Sequence, residues 1–401
     1  MNTALKHWKE AATIILAAGT SHRAGLDILS PRSLQKGARG GGQPALPHRS
    51  AFDYKVLLLK RSSKSGFMPN AYVFPGGLVD SSDFSSEWLD VFKAFRDSPN
   101  FGLGRVKQPA ETRPPIFATD RVPLGSPVPG EVALRICALR ETFEESGVLL
   151  AVSKMEESSL LKSIADETHP QVPKLDDLCD QGELTKWRSL VNKSPSNFIR
   201  MCRELDLLPN IWALHEWGNW LTPTGVYGKE RRYDTAFFIC CLQAIPHTLQ
   251  DEKEIVHFKW STPSEILHSY QARDLWIAPP QFYELSRICR FTALSDLHSF
   301  SSQRASEGCE QWLPVRLVKD NYYVSLLPGD RLYPKDGSGQ LKIDTSADLH
   351  LDDSQEEHPA LHRLVFLDPY TTTVQITITP KYNHLLPVVG PAVKPGPNSQ
   401  L

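Results

Sequence analysis

The sequence predicts an α/β fold followed by a β-rich C-terminal extension. Three observations carry that prediction. Short apolar runs with β-branched centres stand at 11–18, 54–60 and 232–242, the mark of buried strands. Among them lies one long stretch, 131–147, whose apolar residues Val132, Ile136, Leu139 and Phe143 recur at helical spacing. Beyond residue 311 the pattern turns to alternating strands around turn residues.

Taken in order, residues 21–50 are rich in Gly, Pro, Ser and Arg and read as a loop insertion. The run 71–74 (AYVF) is extended and leads into Pro75-Gly76-Gly77, a turn in which Gly can take φ > 0. Residues 79–130 hold no sustained period and read as a second insertion. Gly147 stops the long helix at C′, and 148–152 (VLLAV) reads as a strand. From 153 to 208 the pattern is helical, with segments near 174–191 and 197–205. A strand at 254–260 meets a cap at Ser261 or Thr262 and a helix over 264–270. Pro280 opens a further helix through about Leu297. Strands follow at 322–327, before Pro328-Gly329-Asp330, and at 374–379. The proline-rich residues after Leu386 read as an exposed tail.

Composition narrows the function. The 401 residues are 41% hydrophobic and 22% charged, the values of a soluble globular chain. Lys plus Arg is 44 and Asp plus Glu is 46, a net charge of −2 that argues against a generic polyanion binder. The apolar run 11–19 is far shorter than the roughly 20 residues of a membrane span, and no longer run follows. The seven cysteines include no CxxC pair, so reduced thiols are expected rather than a disulfide framework or zinc ribbon.

The chemistry concentrates in Arg140-Glu141-Thr142-Phe143-Glu144-Glu145-Ser146-Gly147-Val148. Glu141, Glu144 and Glu145 are spaced i, i+3 and i+4, so a helix stacks them on one face. Three such carboxylates repel one another unless neutralised, and Mg²⁺ or Mn²⁺ with oxygen ligands is the natural partner. Arg140 stands i, i+4 from Glu144 and can hold one carboxylate. Alone, the triplet would read as a solvated acidic face. The preceding strand and Pro-Gly-Gly turn, with an apolar strand after the helix, favour a site.

These residues resemble the signature of the Nudix hydrolases, G-x5-E-x7-R-E-U-x-E-E-x-G-U. The second half of that box matches Arg140 to Val148, with Thr142 at the usually aliphatic position. The first half matches at Gly77 but not in its spacing: the acid at the helix start, Glu131, lies 53 residues (78–130) further on, and its role stays open. Glu131 is one place early, since eight residues rather than seven separate it from Arg140. The insertion inside the box, with FMPNAYVFPGGLVD, RRYDTAFF, EIVHFKWSTPSE and WIAPPQFYEL, narrows the resemblance to the family's peroxisomal coenzyme A diphosphatases.

The resemblance implies an α/β/α sandwich with a mixed sheet. It implies a hydrolase domain over 6–310 with insertions at about 21–50, 79–130 and 153–208, an extension over 311–385, and a tail over 386–401. The implied reaction is hydrolysis of the diphosphate of CoA and acyl-CoA, giving adenosine 3′,5′-bisphosphate and (acyl)phosphopantetheine. Glu141, Glu144 and Glu145 are then the metal ligands for Mg²⁺ or Mn²⁺, and Glu141, Glu144 and Arg140 the catalytic set. Gly76, Gly77 and Arg61 are the substrate-binding candidates. Another diphosphate (a dinucleotide, a nucleotide sugar or capped RNA, so RNA binding) stays open, as does a Nudix-fold binding module without catalysis.

The family's coenzyme A subgroup carries an upstream element, roughly LLTxR-S-x3-R-x3-G-x3-F-P-G-G. Arg61 and Ser62 match it, but Gly66 stands at the second Arg and Asn70 at the Gly. Arg61, Lys60 and Lys64 can meet the 3′-phosphate or the diphosphate as charge-assisted donors, though Lys60 and Lys64 read better as a solvated basic loop. Trp220 can stack on adenine or pack in the core, and Arg232 can bind phosphate or pair with Asp234. Glu252 and Glu254 read as surface charge. His358 and His362 form an HxxxH spacing that Pro359 spoils for zinc. The final Ser399-Gln400-Leu401 resembles a peroxisomal S-K-L tripeptide, which implies an import receptor as partner and the peroxisome as location. Residues 153–208 are expected to form a helical lid that sets acyl specificity.

Overall fold

The computed structural model describes residues 8–20, 46–165, 178–223, 231–250, 255–319, 322–334 and 359–388. Among them β1 (Lys9–Gly19), β2 (Tyr54–Arg61), β3 (Tyr72–Val73) and β4 (Gly76–Leu78) come first. The short helices α1 (Trp88–Val91) and α2 (Pro115–Ala118) precede α3 (Gly130–Ser146). Then come β5 (Ala151–Ser153), α4 (Glu157–Ala165), α5 (Gln181–Val191), α6 (Asn197–Glu204) and β6 (Leu207–Pro209). β7 (His215–Leu221), β8 (Tyr233–Leu242) and β9 (Ile255–Ser261) are followed by α7 (Pro263–Gln271), α8 (Pro279–Ile288) and α9 (Leu294–Ala305). The chain continues through β10 (Gln311–Trp312), β11 (Val315–Lys319), β12 (Tyr322–Leu326), β13 (His362–Asp368) and β14 (Thr371–Ile376).

The main sheet is mixed. Its order is β10-β7-β8-β1-β2-β3, with β4 beside β1 and β9 beside β2. β1 runs parallel to β8 in register from Lys9↔Tyr233 to Ala18↔Leu242. Its other edge splits: Ala17–Gly19 pair with β2 and Ala11–Thr13 with β4, both antiparallel. The two-residue period then sorts side chains between layers. Ile14, Leu16, Leu57, Phe238 and Cys240 face α3 and the insertions. Ile15, Ala17, Val56, Ile239 and Cys241 face α7, α8 and α9. Helices on both faces make the α/β/α sandwich that was expected.

A four-stranded antiparallel sheet, β11-β12-β13-β14, forms the extension. Leu364, Phe366 and Val374 join the α8/α9 core, while Val315, Leu317, Val324 and Leu326 form a small core of their own.

Residues 79–130 pack on the main domain: Trp88, Phe92, Phe95 and Phe117 bury into the α3 core, held by aromatic contacts that follow no regular period. Several expectations are corrected. Pro75-Gly76-Gly77 is more than a turn, since Gly76–Leu78 is the strand β4. The strand read at 148–152 is shifted to Ala151–Ser153, where β6 supplies a partner. The helix read from Pro280 to Leu297 is two helices, α8 and α9. β7 escaped sequence reading because Glu216 and Asn219 break its apolar run; both are buried on bonded partners. In the segment expected to form a lid, Trp187 and Val191 of α5 and Phe198 and Met201 of α6 are buried in the α3 core. The tail read from 386 begins buried, for Val388 is 6% exposed and its N–H donates to the Ser286 carbonyl. Glu252, Glu254, His358, most of 21–50 and the final tripeptide lie outside the described residues.

Candidate active site

The site forms where β4 crosses the C-terminal half of α3. Nearly every residue of α3 is buried, and only Glu131, Glu141 and Glu144 keep appreciable exposure. Gly147 ends the helix at φ 71°, its N–H on the Phe143 carbonyl. Thr142, at the usually aliphatic position, is fully buried and returns its hydroxyl to the Ala138 carbonyl at 2.8 Å.

β4 brings bare backbone to the acidic face. The Thr13 hydroxyl and the Ile14 N–H both donate to the Pro75 carbonyl, at 2.7 and 2.9 Å, and this fixes the strand's start. Gly76 adopts φ 149°, and a Cβ there would stand 2.3 Å from the Ala12 carbonyl oxygen. Its N–H donates to Glu145 Oε2 at 2.9 Å. A Cβ on Gly77 would lie 2.4 Å from Glu141 Oε2. The two glycines therefore let β4 approach two of the three carboxylates.

Arg140 organises the rest. Its Nη1 donates to Glu141 Oε1 at 2.8 Å and to Glu144 Oε1 at 2.7 Å. Its Nε and Nη2 grip both oxygens of Asp83, at 2.8 and 2.9 Å, and Nη2 also meets the Leu78 carbonyl. Arg140 and Asp83 are each 1% exposed. Asp83 is set by a reciprocal cap on the turn Ser81–Phe84: Asp80 accepts from the Ser82 N–H and Asp83 from the Asp80 N–H.

Asp83 is the residue that sequence reading missed. It stands six positions after Gly77, where the Nudix box has its first acid. The box is thus intact up to that acid, and 56 residues rather than seven separate Asp83 from Arg140. Glu131 is corrected accordingly. It opens α3 on a different network, accepting from Arg113, which also pairs with Glu216 at 2.7 Å.

The carboxylates suit a hard divalent cation. All donors are oxygens. Burial, reinforced by Glu144 and opposed by Arg140, pushes the Glu141 carboxyl up to about 7. Among the described residues no three of these side chains converge as a preformed cage. Glu141 and Glu144 meet at one Arg140 nitrogen, and Glu145 is turned to Gly76.

The acidic face opens into a cleft of about 820 Å³, within the roughly 300–1,000 Å³ usual for small-molecule sites. Arg61, Phe74, Gly76 and Gly77 line one side, and the α5–α6 turn contributes Asn192 and Pro195. The extension adds Pro314, Arg316, Tyr323 and Ser325. Arg61 is held by Ser65 Oγ at 2.9 Å and the Phe67 carbonyl at 3.0 Å. Asn70 takes the left-handed conformation, φ 61°, at the position where the subgroup has Gly. Beside Gly66, Arg231 brings a guanidinium nitrogen within 3.7 Å of where a Cβ would be.

Other candidates are placed elsewhere. Trp220 is buried, its indole N–H on Glu284 Oε1 at 2.8 Å, which is core packing at the cleft wall. Arg232 donates to the Thr222 carbonyl and covers Trp8, while Asp234 is held by Asn219 and Gln311. Lys60 lies over Tyr72. His362 is buried between the Tyr283 hydroxyl and the Pro328 carbonyl.

Comparison with known proteins agrees with this geometry. A family model described as NUDT19 Nudix domain matches residues 8–288, and one described as NUDT19 C-terminal domain matches 316–377. The chain is similar to the acyl-coenzyme A diphosphatase NUDT19 of Gallus gallus, at 46% identity covering 97% of both chains. It is 47% identical to the protein of that name from Xenopus laevis, again covering 97% of both. The Homo sapiens protein of that name is 39% identical, covering 95% of this chain and 94% of its own.

Proposed function

The chain belongs to the NUDT19 Nudix family, and from that premise we propose that it hydrolyses the diphosphate of CoA and acyl-CoA. The observation that carries the reading is the crossing of β4 and α3. Gly76 and Gly77 bring backbone against Glu145 and Glu141, and Arg140 ties Glu141 to Glu144 beside them. A family hydrolase of this kind works with a divalent metal, and Mg²⁺ or Mn²⁺ is our specific proposal.

The bound cation supplies neutralisation of the diphosphate and acidification of water. Glu141, Glu144 and Glu145 would hold it. Glu141 commits Oε1 to Arg140 and lays Oε2 against Gly77, where it would serve the cation or take the proton of the attacking water. Arg140, fixed by Asp83, holds Glu141 and Glu144 in position. The products are adenosine 3′,5′-bisphosphate and (acyl)phosphopantetheine. Arg61 and the Gly76–Gly77 backbone line the substrate's path. We also propose peroxisomal location through the S-K-L-like terminus, which import of a tagged chain with and without that tripeptide tests.

The test of substrate is a panel. CoA and a medium-chain acyl-CoA are compared with a nucleotide sugar, a dinucleotide and capped RNA under the same metal. Preferential cleavage of the CoA esters supports the proposal. Preferential cleavage of another diphosphate overturns the substrate and leaves the family chemistry.

A further inference from the structure

Three guanidinium groups line the cleft among the described residues, and they are not equivalent. Arg140 is spent on Asp83, Glu141 and Glu144. Arg61 is tied to Ser65 and the Phe67 carbonyl. Arg316 lies over the Tyr323 ring at 4.2 Å and, among the described residues, meets no hydrogen-bond acceptor. Its donors are therefore available to a ligand.

Strand parity explains why it stands there. On β11, Val315 and Leu317 turn into the small core of the extension, so Arg316 between them points to the opposite face. It is paired in register with Ser325, and both line the cleft. On the next strand Tyr323 stacks on Phe366 with ring centroids 4.4 Å apart and planes 9° apart. Phe366 is buried in the core against α8 and α9. The guanidinium thus rests on an aromatic ladder anchored in the main domain. A stacked guanidinium loses less freedom on binding than a free one, and its planar fork suits phosphate oxygens.

We propose that Arg316 is a specificity residue of the C-terminal sheet that binds the 3′-phosphate of the CoA nucleotide. The inference rests on the CoA reading given above. Free CoA carries two charged phosphate groups, the diphosphate and the 3′-phosphate, and the pantetheine arm is neutral. The diphosphate belongs with the cation at the α3 carboxylates. The 3′-phosphate is the remaining dianion, and an uncommitted arginine at the wall is its complement. The extension accordingly completes the active-site cleft.

The experiment compares CoA with 3′-dephospho-CoA for the full-length wild type, Arg316→Ala and Arg316→Lys. The exposed position makes misfolding an easy control by thermal melting. Wild type should favour CoA. Arg316→Ala should lower kcat/KM for CoA about 10- to 100-fold, mainly through KM, and change dephospho-CoA by less than about 2-fold. Arg316→Lys should recover part of the loss. Equal losses on both substrates, or none on either, overturn the proposal. Calorimetric binding of adenosine 3′,5′-bisphosphate against AMP reads the same subsite without turnover. If CoA is not hydrolysed but Arg316→Ala still abolishes the preference for the bisphosphate, the CoA reaction fails and the subsite stands.

Discussion

Asp83 and Arg140 lie 57 positions apart and form a two-bond clamp, Nε to Oδ1 at 2.8 Å and Nη2 to Oδ2 at 2.9 Å. Both side chains are shut off from solvent. The clamp aims the remaining nitrogen of Arg140 at Glu141 and Glu144. Removing Asp83 leaves a buried cation with less than its partner charge. Breaking a buried pair in this way costs about 3–5 kcal/mol. Asp83→Ala should therefore lower the urea midpoint strongly and reduce turnover in the fraction that remains folded. Glu131→Gln should leave kcat within about 3-fold, because that carboxylate serves Arg113.

The same pair marks the limit of what the sequence made legible. The acidic helix face, the Gly76-Gly77 approach and the strands 11–18, 54–60 and 232–242 follow from local spacing. Asp83 sits in a four-residue 3₁₀ turn, where no periodicity distinguishes it from its neighbours Asp80, Ser81 and Ser82. Counting six from Gly77 finds it, whereas seeking the acid at the helix start finds Glu131. β7 was hidden for another reason: its polar residues are buried on partners remote in sequence, as in Glu216 on Arg113. The packed α5–α6 layer likewise depends on contacts with α3 and residues 79–130 that an amphipathic pattern does not name.

The two glycines of β4 should separate by phenotype. Gly76→Ala places a Cβ on the Ala12 carbonyl at a φ that L-residues avoid, so stability should fall by at least about 1–3 kcal/mol. In Gly77→Ala the atoms nearest the new Cβ are the carboxylate end of Glu141, which can swing away. Its stability should change little, while activity should fall about 10-fold or more because Glu141 leaves its place. Thermal melts and steady-state rates on the two variants check this. Loss of stability in Gly77→Ala equal to that in Gly76→Ala would contradict it.

Acid should weaken the joint between the main domain and the C-terminal sheet. Burial pushes His362 down to about 4, and burial with Arg287 and Arg304 nearby pushes His384 well below its ordinary value. The folded chain then binds fewer protons than the unfolded chain between about 4 and 6.5. Stability held above pH 6.5 is lost as pH falls through that window, by up to about 1.4 kcal/mol per unit for each histidine. Urea midpoints at pH 7 and pH 5 measure the slope, and His362→Gln should flatten it. A slope unchanged by the substitution would remove His362 from the account.

In the proposed reaction the α3 carboxylates bring a divalent cation to the CoA diphosphate. The measurement is product analysis of CoA with Mg²⁺ or Mn²⁺, with and without chelator, for wild type and Glu144→Gln. Release of adenosine 3′,5′-bisphosphate should stop with chelator, return with added metal, and fall by about 10²-fold or more in Glu144→Gln. Release by Glu144→Gln at the wild-type rate, or release that survives chelation, would contradict it.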